Sequence, residues 1–174
     1  LTAAWTAAPA KRARVKPDVR HQRESAVTSV AQHYADHLAP IYVWMAGGLD
    51  HALRLGASDV ADFLGSVQYA VDLGAGFGMH TIPLARAGAR VLAIDSSAQL
   101  LSTLASTSSG LPVHIVQADL SEFPSHMSAS PNLILCMGDT LAHLASLDAV
   151  DGLIRSVAAA LRPGGTFLAT FRDY

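Results

Sequence analysis

The sequence predicts an α/β fold in which a doubly wound, mainly parallel sheet carries helices on both faces. Short apolar runs alternate with amphipathic segments of helical length between residues 67 and 170. The runs are apolar throughout rather than alternately polar, as in strands that are buried on both sides. Glycines or acids directly follow several of them, and such sheets bind ligands beyond the carboxyl ends of their strands.

Before the first strand, three helices are predicted, which together form an N-terminal helical cap over residues 23–65. The first covers Glu24–Leu38 and ends at Pro40, because proline cannot continue a helix. Two short helices follow at Asp50–Leu55 and Ser58–Leu64, with Ser58 and Asp59 as possible N-caps of the second.

Five strands and three intervening helices are then predicted in a domain covering residues 66–174. The strands are Val67–Leu73, Arg90–Ile94, Val113–Gln117, Asn132–Met137 and Thr166–Thr170. The helices are Thr81–Ala87, Ser97–Ala105 (capped by Ser96 or Ser97) and Leu147–Leu161. Right-handed crossovers restrict such a chain to a doubly wound sheet.

Composition and length bound the class of protein. The 174 residues suit one domain with a real core, and no apolar run approaches the roughly 18 residues that cross a bilayer. The single cysteine, Cys136, excludes an internal disulfide. We predict a cytoplasmic protein without a membrane partner or a metal site, and self-association into a homo-oligomer is left open.

Charge is distributed unevenly along the chain. Six of the twelve basic residues fall within the first 23 positions, whereas from Glu24 onward six basic residues face thirteen acidic ones. An acidic body disfavours nucleic-acid binding. Residues 1–22 are predicted to be a disordered basic tail, with a cleaved transit peptide or an arm for an anionic partner as alternatives.

The glycines of Val71-Asp72-Leu73-Gly74-Ala75-Gly76-Phe77-Gly78 are the main chemical signal. They form a turn between the first strand and a helix, and glycine allows both unusual backbone angles and close approach of a ligand. Unpaired N–H groups at the helix start suit a nucleotide-like cofactor.

Two acids follow neighbouring strands. Asp95 ends the second strand, 21 residues after Gly74, where a carboxylate can accept hydrogen bonds from both ribose hydroxyls. Asp119 follows the third strand and suits the exocyclic amine of adenine. Either acid alone could be a solvated turn residue or a helix cap. An NAD enzyme would share Asp95, but its glycines follow a Gly-x-Gly-x-x-Gly pattern.

The chain resembles the class I S-adenosylmethionine-dependent methyltransferases. The resemblance lies in the glycine-rich stretch 71–78, in the strand ends at Asp95 and Asp119, and in Leu161-Arg162-Pro163-Gly164-Gly165-Thr166. The resemblance implies a Rossmann-like, seven-stranded sheet, so that strands after the fifth are expected to be missing here. It places the glycine turn at the methionine part of the cofactor, Asp95 on the ribose and Asp119 on the adenine amine. The cofactor contacts we expect are Tyr34, Tyr42, Trp44, Asp72, Gly74, Ala75, Gly76, Gly78, Asp95, Ser96, Asp119, Leu120, Met137 and His143.

A narrower resemblance, to glycine N-methyltransferase and its relatives, lies in residues 135–144 and in Phe171-Arg172-Asp173-Tyr174. It implies that Arg172 binds a substrate carboxylate and that His143 contacts the cofactor or the substrate. Asp139 and Asp173 replace amides of that family, which favours a cationic amine over glycine as substrate. Tyr34, Tyr42 and Trp44 would close over the sulfonium, whose charge is attracted to aromatic faces. Core packing for the rings, a helix start for His143 and a surface position for Arg172 are the structural alternatives.

Three functions follow from this sequence. The first is methyl transfer from S-adenosylmethionine to a small molecule, at an amine or amino-acid nitrogen. An oxygen nucleophile would need a general base, for which His143 and Asp139 are the first candidates. The second is a non-catalytic protein that binds the cofactor or another nucleotide, and the third is an NAD(P)-dependent oxidoreductase.

Overall fold

A computed structural model describes residues 41–170 and contains a five-stranded, fully parallel sheet in the order β3-β2-β1-β4-β5. The strands are β1 (Tyr69–Leu73), β2 (Arg90–Asp95), β3 (Val113–Gln117), β4 (Leu133–Cys136) and β5 (Thr166–Ala169). The strand order reverses between β1 and β4, so the predicted doubly wound fold is confirmed.

Helices cover both faces of the sheet. They are α1 (Tyr42–Met45), α2 (Leu49–Asp59), α3 (Thr81–Arg86), α4 (Ala98–Thr107), α5 (Phe123–His126) and α6 (Leu147–Ala160), with short 3-10 turns at Ala61–Phe63, Leu120–Glu122 and Thr140–His143. None of the helices in residues 41–170 is long and apolar enough to span a bilayer.

The core has one layer on each side of the sheet, because successive side chains of a strand point to opposite faces. On one face Val71 and Ile134 pack with Val157 of α6. On the other face Ala70 and Leu133 pack with Leu84 of α3. Every residue of β1 and β4 is buried, and all of them except Asp72 are apolar, as expected for strands covered on both faces.

The N-terminal part of the described chain differs from the prediction. Helix α2 covers the first predicted short helix and only the start of the second, whose remainder contains the 3-10 turn Ala61–Phe63. Ser58 and Asp59 lie in the last turn of α2 rather than at a helix start. Gly56, Ser58 and Asp59 together resemble a helix break in sequence. In the structure Gly56 is buried inside the helix, where it allows a close contact described below.

Other elements differ less. Ser97 caps α4, as one of the two predicted alternatives, by accepting a hydrogen bond from Leu100 N at 3.3 Å. That helix continues to Thr107, two residues beyond its predicted end. The 3-10 turn Leu120–Glu122 and the short helix α5 were not predicted, because elements of three or four residues leave little periodic signal. The tail, the helix at Glu24–Leu38, Tyr34 and Arg172 lie outside the described residues.

Cys136 is expected to be chemically inert in the folded protein. It ends β4 with no exposed surface, and burial, together with the nearby Asp72 carboxylate, raises the pKa of its thiol to about 12. Because the thiolate is the reactive species, iodoacetamide should not modify the native protein but should modify it fully in urea. Mass spectrometry would measure this, and rapid native alkylation would contradict the buried position.

Candidate cofactor site

The glycine-rich loop, residues 74–80, connects β1 to α3 and is attached to the end of β2. Gly74, Gly76 and Gly78 have φ angles of 77°, 53° and 96°, a region that favours glycine. The N–H groups of Gly74 and Ala75 both donate to the Ile94 carbonyl oxygen, at 2.8 and 3.0 Å. The loop therefore lies beside the acid that follows Ile94.

Asp95 is held by two backbone donors from different elements. Gly76 N donates to Oδ2 and Ser97 N donates to Oδ1, each at 2.8 Å. Burial raises the pKa of this carboxyl, and the N–H groups of Ser97, Gly76 and Ser96 oppose that rise. Each oxygen keeps a lone pair for a further donor. The carboxylate is thus fixed in orientation and can still accept two hydroxyl groups.

The next strand brings Asp119 to the same edge of the sheet. Asp95 pairs in register with Gln117, whose amide donates to the Ser96 carbonyl oxygen at 3.1 Å. Asp119 is exposed, and its Oδ1 accepts from the backbone N and the hydroxyl of Ser121 at 2.8 and 2.6 Å. Leu120 begins the following 3-10 turn. A cavity of about 380 Å³ lies between this turn and α6.

Asp72 lies beneath the loop rather than at its surface. Only 1% of it is exposed, and its Oδ2 accepts a hydrogen bond from the Thr81 hydroxyl at 2.6 Å. Burial raises the pKa of this carboxyl, while neighbouring His80 and the Thr81 bond partly lower it. This position suits a support for the loop, and the predicted contact with the cofactor stays a prediction.

Replacing Asp72 by asparagine is expected to change how stability depends on pH. Because its pKa is raised above 3.8 in the fold, the folded state binds the proton more tightly than the unfolded chain. The free energy of unfolding therefore falls as the pH rises from 3.8 through the folded pKa. Asp72→Asn removes this fall, so its stability relative to wild type should be higher at about pH 8 than at about pH 5.

Urea unfolding at both pH values measures this effect. Asp62→Asn is the matched control, since Asp62 is exposed on the 3-10 turn before β1. A variant at position 72 with the same pH dependence as wild type would contradict the raised pKa.

The end of β4 closes against the loop from the other side. Thr140 donates to the Met137 carbonyl oxygen at 2.9 Å, and a side chain at Gly74 would collide with Thr140. Met137 is buried, Asp139 is half-buried at the start of the 3-10 turn, and His143 is exposed at its end. The fold therefore brings this segment to the same edge as Gly74.

The two aromatic side chains that the structure describes are placed differently. The Tyr42 ring packs on Phe77 of the glycine-rich loop, with centroids 6.0 Å apart and planes at 60°. Trp44 is 78% exposed. Tyr42 thus contacts the loop, and coverage of a cofactor by either ring stays a prediction.

Several residues of this site were not singled out by the sequence analysis. Thr140 lies against Gly74, Thr81 donates to Asp72, and His80, the last residue of the loop, bonds to Asp59 of α2. Their proximity depends on how β1 and β4 pair and where α2 lies, so one sequence carries no signal for them. A second cavity, of about 410 Å³, opens at the amino ends of the strands and is lined by Tyr69 and Arg90. It therefore lies away from this site.

The comparisons with known proteins agree with this geometry. A family model described as a methyltransferase domain matches residues 70–165, which is more than half of the chain. The search of curated proteins gave no significant match.

Solved structures of methyltransferases are similar to the chain. The CcbJ methyltransferase from Streptomyces caelestis is 26% identical with a TM-score of 0.59, over 71% of this chain and 53% of that one. The glycopeptide N-methyltransferase MtfA is 25% identical with a TM-score of 0.54, over 65% and 52%. The chain therefore spans about half the length of these two proteins.

A third similarity concerns the fold alone. Magnesium protoporphyrin IX methyltransferase (ChlM) from Synechocystis PCC 6803, solved with bound S-adenosylmethionine, is 19% identical with a TM-score of 0.60. The similarity covers 78% of this chain and 71% of ChlM.

Proposed function

Because the chain belongs to the family of class I S-adenosylmethionine-dependent methyltransferase domains, we propose that it transfers a methyl group from this cofactor to a small molecule. The acceptor in this proposal is an amine or amino-acid nitrogen. The observation that carries the proposal is the bond from Gly76 N to Asp95, which joins the glycine-rich loop to a fixed carboxylate at the carboxyl edge of the sheet.

The residues present fit this cofactor. Gly74, Ala75 and Gly76 would hold its methionine part. At Gly76 the backbone has a positive φ, and among the described residues the nearest side chain to an added β-carbon is Leu100 at 3.8 Å, which leaves room for a ligand. Asp95 and Ser96 would bind the ribose through the free lone pairs of a carboxylate that is already oriented. Asp119 and Leu120 would hold the adenine.

The remaining cofactor contacts come from three directions. Gly78 belongs to the loop and Asp72 lies beneath it, Met137 directly follows β4, and Tyr42 reaches the loop through Phe77. We extend the proposal to Trp44 and His143, and to Tyr34, which lies outside the described residues.

The bound cofactor supplies a methyl group already activated by the positive sulfur, so the chain must chiefly position the acceptor and exclude water. Asp139, at the start of the 3-10 turn after β4, would attract a cationic amine, and His143 or Asp139 would accept its proton before transfer. Arg172, outside the described residues, would bind a carboxylate of the substrate.

Nitrogen as the acceptor is supported indirectly. An amine in its neutral form attacks through its free lone pair and needs little help from a base. A hydroxyl group, in contrast, needs a general base to remove its proton. The similar structure MtfA is described as an N-methyltransferase. The excess of acidic residues after Glu24 favours a small molecule over a nucleic acid.

Calorimetric titration of the full-length protein tests the cofactor. S-adenosylmethionine and S-adenosylhomocysteine should bind, and NADH, titrated in parallel, should not. The acceptor is then tested by measuring S-adenosylhomocysteine formed with a panel of primary amines and amino acids, against matched alcohols.

Each result separates the alternatives. Binding without turnover on any acceptor would favour a protein that only holds the cofactor. Tight NADH binding would favour the oxidoreductase. Turnover on alcohols alone would leave the methyltransferase in place and overturn nitrogen as the acceptor.

A further inference from the structure

The backbone of helix α2 lies directly against the backbone of the glycine-rich loop. Gly56 is buried within α2, and a β-carbon at this position would overlap the carbonyl oxygen of Met79. Any other residue would push the helix away from the loop. The small residue therefore indicates that close contact between α2 and residues 79–80 is a built feature of the fold.

A polar contact lies one turn further along the same helix. His80 Nε2 donates to Asp59 Oδ2 at 3.1 Å, and the side chains are 12% and 46% exposed. A carboxylate offers only lone pairs, so this nitrogen carries the proton. The bond thus joins the last turn of α2 to the last residue of the loop.

The next residue connects the same point to the centre of the sheet. Thr81, adjacent to His80, donates to the buried Asp72 of β1 at 2.6 Å. Loop residues at the other end are held by Ile94 and Asp95. The loop is therefore anchored to β2 at its start, and to α2 and β1 at its end.

We propose that His80 is a positioning residue: its bond to Asp59 holds the glycine-rich loop in the conformation that binds the cofactor. This inference rests on the proposed function, since the cofactor is S-adenosylmethionine. His80 itself need not touch the ligand. It fixes the end of a loop whose N–H groups face Ile94 and Asp95.

The test compares His80→Ala, His80→Gln and Asp59→Ala with wild type by titration with S-adenosylhomocysteine. His80→Ala and Asp59→Ala should each weaken binding about tenfold, as loss of one hydrogen bond to a charged group predicts. The double variant should bind no more weakly than either single one, because both changes break the same bond. Glutamine keeps an N–H donor and should restore most of the affinity.

Hydrogen exchange in the ligand-free protein supplies a readout that does not need the cofactor. The amides of Gly74, Ala75, Gly76 and Gly78 are hydrogen-bonded and should exchange faster in His80→Ala, while those of β4 stay unchanged. His114→Ala is the control, because His114 is an exposed histidine of the edge strand β3 and lines the cavity at the amino ends of the strands, away from the loop. It should change neither measurement.

Unchanged affinity and unchanged loop exchange in His80→Ala would overturn the positioning role while wild-type binding keeps the proposed function. Equal losses in the alanine and glutamine variants would also overturn it, since the donor would then not matter. If wild type binds no S-adenosylhomocysteine, the proposed function is wrong and the positioning role falls with it.

Discussion

Replacing Asp95 by alanine is expected to weaken S-adenosylhomocysteine binding by about a hundredfold, the largest effect on the site. The change removes the acceptor of the Gly76 and Ser97 N–H groups and, in the proposed function, of the ribose hydroxyls. Two charge-assisted hydrogen bonds contribute about 3 kcal/mol, which corresponds to this factor. Titration calorimetry of the purified variant measures it.

Two further variants make the result specific. Asp95→Asn keeps one oxygen but places an amide group against a backbone N–H, so it should lose nearly as much affinity. Asp151→Ala removes an exposed carboxylate that pairs with Arg155 on α6, and it should bind like wild type. Wild-type affinity in Asp95→Ala would contradict both the ribose assignment and the proposed orientation of the cofactor.

Replacing Gly78 by alanine is expected to destabilise the fold by about 3 kcal/mol. Its φ of 96° disfavours any side chain, and a β-carbon would collide with Leu104 and lie 3.1 Å from Ile82. Both neighbours are buried, so neither can move away without disturbing the core. The melting temperature should fall by about 10 °C.

Gly88 offers a matched control for this change. Its φ of 99° is nearly the same, but no atom lies within 4 Å of an added β-carbon. Gly88→Ala therefore measures the backbone cost alone, expected to be about 1 kcal/mol. Equal losses at the two glycines would show that contact with Leu104 and Ile82 contributes nothing.

The sequence was sufficient for the sheet because its central strands β1 and β4 are buried along their whole length. Continuous apolar runs such as Leu133–Cys136 can only be interior strands or short buried helices, and the glycines and acids that follow decide for strands. The same signals placed Gly74, Asp95 and Asp119 at one edge. Parallel pairing then brought them together without any information about side-chain contacts.

The supports of the site could not be predicted in this way. From its neighbours in sequence, Gly56 would be predicted to break a helix. In the structure it lies inside α2, where the absence of a side chain lets the helix contact the backbone of Met79. Thr140 contacts Gly74 only because β4 pairs with β1 across the reversal in strand order. Such contacts join residues far apart in sequence, and a single chain without homologues does not report them.

The inert thiol of Cys136 has a practical consequence for following motion in this molecule. A cysteine introduced at exposed Ser58, in the last turn of α2, would be the only thiol that a fluorescent probe could reach in the native state. The native cysteine does not need to be replaced first. Probe emission would then report detachment of the helix from the neighbouring loop directly, in real time and in an otherwise unaltered chain.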